Sequence, residues 1–166
     1  MEGGNLQKTI LATLALLGCG FSTSCSTGTN SFDPDIIAME RNALDRWGKG
    51  DPQGYLEIYA PEVTYFDPFV EKRTDGLEAM RKYLTPITGK VKVDRYDMID
   101  PRVERRGDVA VLSYNLISYG KKPDGTEVAL ARWNSTKVYG RIEGRWKIFH
   151  DHWSFLKPDL KQPIGE

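Results

Sequence analysis

Gly144-Arg145-Trp146-Lys147-Ile148-Phe149-His150-Asp151-His152-Trp153-Ser154 reads as a β-strand, because aromatic and β-branched residues dominate and no Gly or Pro interrupts it after Gly144. Side chains alternate faces along a strand. The spacing therefore puts Trp146, Ile148, His150 and His152 on one face, and Phe149, Asp151 and Trp153 on the other. Both histidines of the chain share that first face. Their neighbours on it are apolar, the pattern of a half-buried polar pocket set into a sheet.

Upstream of this stretch the period-two pattern begins at Val91. It predicts strands at Lys90–Arg106, Val109–Tyr119, Val128–Tyr139 and Arg145–Phe155, joined by turns at Gly107-Asp108 and Asp124-Gly125. Pro101 marks a bulge or kink in the first long strand. Further upstream the period is helical. Asp33-Pro34 is an N-cap followed by Pro at the first helical position; Ile37, Leu44 and Trp47 follow on one face, and Gly48 and Gly50 close the helix. Asp51-Pro52 repeats the signal for a short helix carrying Tyr55, Leu56 and Tyr59. Val63–Asp67 is a short strand stopped by Pro68. Asp75-Gly76-Leu77-Glu78 has capping-box spacing and opens a third helix with Leu77, Met80 and Leu84 inward, ended near Pro86. Helices first and a long antiparallel meander last imply an α+β fold with helices on one sheet face.

A chain of 166 residues suffices for one domain with a substantial core. Lys plus Arg number 23 and so do Asp plus Glu, so nothing suggests the basic patch a nucleic-acid binder needs, and no nucleic-acid partner is expected. Arg102, Arg105 and Arg106 read as a solvated strand end. The N-terminal part has a different character. Thr9 to Gly18 is an apolar run of about ten residues, too short for a membrane span and suited to a secretory signal. Leu16-Leu17-Gly18-Cys19 resembles a bacterial lipobox, with Cys19 as the lipid acceptor; Cys25 is a second candidate. Ser22 to Ser31 reads as a flexible tether. The expected organisation is a leader and tether over 1–31, a folded domain over 32–157 and a tail over 158–166. The expected location is outside the cytoplasm, periplasmic or anchored by an N-terminal lipid, which is the only membrane attachment foreseen. Both cysteines lie in the leader, so the domain has no disulfide or cysteine metal site.

The order of these pieces resembles the nuclear transport factor 2-like superfamily. The pieces are Gly50-Asp51 with Tyr55, Thr64-Tyr65-Phe66-Asp67-Pro68, Asp100-Pro101 with Val103, Gly107-Asp108, Tyr119, Asp124-Gly125, and the strand from Gly144 to Ser154. SnoaL-like and ketosteroid-isomerase-like proteins are similar. In detail the pattern is most similar to the association domain of calcium/calmodulin-dependent protein kinase II and its bacterial relatives, over about Asp33 to Phe155. The resemblance implies a cone-shaped, curved, antiparallel or mixed sheet packed on three N-terminal helices, a nuclear transport factor 2-like or cystatin-like roll. It also implies an internal pocket and self-association through the outer sheet face, in at least a dimer.

The resemblance places Asp67 where ketosteroid isomerases keep their catalytic base. A carboxylate in an apolar cavity can shuttle a proton alpha to a carbonyl, given an oxyanion partner. The tyrosine position of those enzymes corresponds to Ala43, and the position of their protonated aspartate to Asn134. His150 and His152 admit three readings: proton transfer with Asp67, as in the scytalone-dehydratase branch; metal ligation, for which only carboxylates remain as a third protein ligand; or non-reactive pocket lining, as in the His-x-His of the kinase association domain. No metal and no cofactor is expected. Parity adds Ser113, Asn115 and Ile117 on one strand, and Arg132, Asn134 and Thr136 on the next. The implied strand order brings Asn115, Arg132, Asn134 and His150 together, with Tyr65 and Asp67 at the rim or floor and His152 beside them. Arg132 on that face would call for an acidic partner or an anionic ligand. Tyr114, Leu116, Trp133, Tyr139 and Trp153 fall on the opposite faces, for helix packing or an oligomer interface. Three functions stay open: binding of a small anionic or carbonyl-bearing molecule; an enzyme of the ketosteroid isomerase, polyketide cyclase or dehydratase type using Asp67 and His150; or an oligomerisation module.

Overall fold

The computed structural model describes residues 34–156. The leader with Cys19 and Cys25, the tether, Asp33 and the tail over 158–166 lie outside the described residues. The first helix, α1, is Pro34–Gly48. Ile36, Ile37, Glu40, Ala43 and Leu44 form its buried face, at the three- and four-residue spacing of an amphipathic helix. Gly50 follows with φ of 79°, a left-handed turn suited to glycine. The second helix, α2, is the short Gln53–Leu56. Tyr59, expected on that helix, instead opens the first strand, β1, Tyr59–Phe66.

A two-residue strand β2, Thr74–Asp75, precedes α3, Leu77–Leu84. The N-cap of α3 is Gly76, with no side-chain cap. Asp75 is drawn instead into an ion pair with Arg73 at 2.5 Å, so the expected capping box does not form. Met80 and Leu84 are buried as expected, and a 3₁₀ turn over Thr85–Ile87 carries the chain past Pro86. The long strands are β3 Arg95–Arg106, β4 Val109–Lys121, β5 Glu127–Ile142 and β6 Arg145–Phe155.

These strands form a six-stranded sheet in the order β2-β1-β6-β5-β4-β3. Pairing is antiparallel except between β1 and β6, which run parallel. Three bulges interrupt the meander. One lies between Ile99 and Arg102, where Asp100 has φ of 47°, at the kink foreseen at Pro101. A second admits Leu130 as an extra residue between the Ala129 and Ala131 pairings. The third lies in β6: Tyr139 pairs with Ile148 and Val138 with His150, so Phe149 is extra. Bulges bend a strand and raise its twist, which curves the sheet around the three helices as an α+β cone.

The bulge at Phe149 also resets side-chain parity. Trp146 and Ile148 face the core. After the extra residue, the inward positions are Asp151 and Trp153, and His150 and His152 turn to the outer face. The inward histidines expected from simple alternation are therefore corrected. β4 and β5 are inverted with them. Leu112, Tyr114 and Leu116 of β4, and Ser135, Lys137 and Tyr139 of β5, are buried against the helices. Asn115, Arg132, Asn134 and Thr136 are exposed on the outer face. The large aromatic face is thus covered by α1, α2 and α3, and needs no second subunit to cover it.

Candidate functional site

The inner face carries a buried polar network at the base of the cone. Glu40, Lys137 and Asp151 are each fully buried. Lys137 Nζ donates to Asp151 Oδ1 at 2.5 Å and lies 3.5 Å from Glu40 Oε1. Tyr55 and Tyr114 donate to Glu40 Oε1 at 2.8 and 2.5 Å, and Tyr139 donates to Oε2 at 2.9 Å. Tyr59 donates to Asp151 Oδ2 at 2.7 Å. The Lys137 ammonium also stands 4.4 Å from the Trp153 ring centroid and 5.0 Å from that of Tyr55. Buried charges persist only when paired and hydrogen-bonded, and these three are. Burial, followed by the nearby carboxylates, holds the hydroxyls of Tyr55, Tyr59, Tyr114 and Tyr139 well above the usual phenol range. They therefore remain donors.

Above this base lies a cavity of about 390 Å³, within the usual range for a small-molecule site. α1 contributes Leu44 and Trp47, α2 Tyr55, β1 Tyr59 and Tyr65, and α3 Tyr83 and Leu84. Ile87, Val91, Val93 and Tyr96 close one side; Leu116, Ser118, Trp133 and Trp153 rise from the sheet. Asp67 and Phe69 stand at the mouth, where Phe69 is 68% exposed and packs edge-on against Trp133 and Phe155. Asp67 Oδ2 accepts from Tyr65 at 2.5 Å and Oδ1 accepts from the Phe69 amide at 2.7 Å. Tyr83 is hydrogen-bonded to Asp67 as well; burial first, then that carboxylate, pushes its hydroxyl up to about 12.

Of the residues singled out in the sequence, Tyr65 and Asp67 meet at this cavity. The other five share the outer face. Asn115 Nδ2 donates to Asn134 Oδ1 at 2.7 Å, and Asn134 Nδ2 to Ser154 Oγ at 3.4 Å. Thr64 Oγ1 and His150 Nδ1 are 2.8 Å apart, and the Phe66 ring packs edge-on against His150 and at a tilt against His152. Partial burial of His150 lowers its pKa. Arg132 is exposed two residues from Asn134 on the same face. The sheet therefore separates Asp67 from His150, and no His–Asp pair forms across the cavity. Asn134, the residue matched to the isomerases' protonated aspartate, points away from it. Among the described residues, no group of three His, Cys, Asp or Glu is placed to hold a metal ion.

Sequence reading missed the network of Glu40, Lys137 and Asp151. Two signals were present. Glu40 lies on the helix face of Ile36, Ile37 and Leu44, and Gly140 in mid-strand marks a bulge or a close approach.

Residues 33–156 match the family profile of the calcium/calmodulin-dependent protein kinase II association domain. The chain belongs to this family. Its association-domain fold has relatives among solved structures. A candidate ketosteroid isomerase from Parabacteroides distasonis shares 35% identity over 80% of this chain and 94% of that one, with a TM-score of 0.67. A calcium/calmodulin-dependent protein kinase II hub homology domain from Chlamydomonas reinhardtii shares 25% identity over 76% of this chain and 99% of that one, with a TM-score of 0.63. A nuclear transport factor 2-like protein from Pseudomonas putida shares 18% over 81% and 99%, with a TM-score of 0.65, and shows likeness of fold. The association-domain membership and the nuclear transport factor 2-like roll are those the sequence resemblance implied.

Proposed function

We propose that this association-domain protein is a self-associating binding module that holds one small, largely apolar molecule in its cone. The observation that carries the reading is the 390 Å³ aromatic cavity with Asp67 at its mouth. Binding suits this site better than proton abstraction. Asp67 stands where a base could work, but the tyrosine hydrogens around it are committed: Tyr55 to Glu40, Tyr59 to Asp151, Tyr65 to Asp67 and Tyr96 to Asp45. An enolate forming in the cavity would find none of these donors aimed at it. The kinship with hub domains supports assembly of copies, and the polar outer face is the surface we assign to it. Export and an N-terminal lipid on Cys19 complete the proposal, supported by the apolar run and the lipobox-like residues.

Nile red tests the cavity. The full chain is expected to bind it saturably, at about one equivalent per chain, and Leu116→Trp, which fills the cavity, is expected to abolish binding. Non-saturable binding, or binding unchanged by Leu116→Trp, contradicts the reading. Mass spectrometry of the mature N-terminus tests export; an unmodified Met1 in a native preparation contradicts it.

A further inference from the structure

We infer that the cavity selects an organic cation, an aryl- or alkylammonium whose charge is directed at Asp67. This rests on the reading of the cavity as a ligand site and names the ligand's class. The first argument is the sign of charge. Asp67 is the only charged side chain lining the cavity among the described residues, with no Lys, Arg or His beside it. Arg132, the residue that would have welcomed an anion, stands on the far side of the sheet. Behind the Tyr55 and Tyr59 walls, Glu40 and Asp151 outnumber Lys137. The formal charge there is −1 on top of that of Asp67.

The second argument is hydrogen-bond polarity. Tyr55, Tyr59, Tyr65 and Tyr96 each donate their hydrogen to a protein carboxylate. With their hydrogens committed, these hydroxyls can offer a ligand only oxygen lone pairs, which suit an N–H rather than a carboxylate. An ionised carboxylate has about four lone-pair sites. Asp67 uses one for Tyr65, one for Phe69 and one for Tyr83, which leaves room for an ammonium. Its orientation is held by those same three groups.

The third argument is the wall itself. Trp133, Trp153, Tyr59 and Tyr65 line one cavity. Ring faces attract cations, more strongly when water is excluded. The molecule already uses one of these rings, and that of Tyr55, in this way, since Lys137 is held beside Trp153 and Tyr55. A ligand carboxylate would meet aromatic rings, tyrosine oxygens and Asp67, none of which offers it a positive charge.

A shape-matched series separates the charges. Benzylammonium, benzyl alcohol and benzoate are titrated against the full chain at pH 7, with tryptophan fluorescence as the readout, since Trp47, Trp133 and Trp153 line the cavity. The expected order is benzylammonium about tenfold or more tighter than benzyl alcohol, with benzoate weakest. Asp67→Asn is expected to shrink the preference for the cation to under about threefold, with circular dichroism confirming the fold. If the alcohol equals the amine, or benzoate binds tightest, the cation assignment is overturned while Nile red binding keeps the cavity reading. If neither the series nor Nile red binds, both readings fall. A cation preference untouched in folded Asp67→Asn overturns the role given to Asp67; if that variant does not fold, the wild-type order decides alone.

Discussion

The Phe149 ring lies directly over Gly140: a β-carbon at residue 140 would sit 2.5 Å from Phe149 Cε2. Phe149 is the extra residue of the β6 bulge, so this contact holds the bulge in place. The bulge in turn decides that Asp151 and Trp153 face the cone and the two histidines do not. The bare glycine in the neighbouring strand leaves the room that this ring occupies at the bulge.

Gly140→Ala is expected to lower stability by about 1–3 kcal/mol, the usual cost of inserting a methyl group into a filled space. The ring is the named obstacle, so the cost should fall when Phe149→Ala is made as well. A double-mutant cycle by urea denaturation checks this. A coupling below about 0.5 kcal/mol would mean that the ring is not what Gly140 accommodates.

Lys137→Met is expected to cost about 3–5 kcal/mol, because Glu40 and Asp151 would remain buried without their shared cation. The hydrocarbon lost is small, so the damage is electrostatic. Removing a charge with Asp151→Asn in the same chain should recover part of it. Denaturation midpoints of the two single variants and the double variant measure that recovery; additive losses would contradict the pairing.

The pH dependence between 7.5 and 5 should carry a contribution from His150. Its folded-state pKa is lowered from 6.5, chiefly by burial. A lowered imidazole is neutral by preference in the folded chain, so the unfolded chain takes up the proton first. The associated stability is full above 6.5 and is lost as pH falls through that value toward the folded one. His150→Gln should flatten this slope. Asp51, Glu57, Asp97 and Glu127, each held below its usual range chiefly by hydrogen bonds from Arg46, Arg95 or Tyr119, add their losses at lower pH. Urea midpoints at pH 7.5, 6 and 5 for both proteins are the measurement.

Assembly through the outer face predicts a selective effect of Asn134→Arg. That residue is the centre of the ladder from Asn115 through Asn134 to Ser154. In an isologous contact the substitution enters the interface twice, once from each copy. Sedimentation velocity is expected to show a smaller species for the variant, with Nile red binding retained. An unchanged sedimentation coefficient would remove this face from the interface.

Much of the backbone was legible from local chemistry. Arg145–Phe155 was readable to the residue, because a run of β-formers bounded by a turn needs no tertiary help. The turns at Gly107 and Gly125 were readable too, since both adopt positive φ. Asp67 and Tyr65 were found because a carboxylate before Pro68 ends a short strand at a place the family resemblance marks. Tyr59 was misplaced on a helix because α2 closes after one turn, and its pairing with Ile148 is a long-range event.

Local chemistry in the chain sufficed for the main helices, the long strands and their order, since turn residues and period act over a few neighbours. Tertiary structure alone decided which sheet face became the interior. Alternation gives two equivalent answers, and one extra residue exchanges them. Only the packing of Phe149 on Gly140, and the burial of Lys137 between Glu40 and Asp151, selects between them, so the histidines that looked like the site lie outside it.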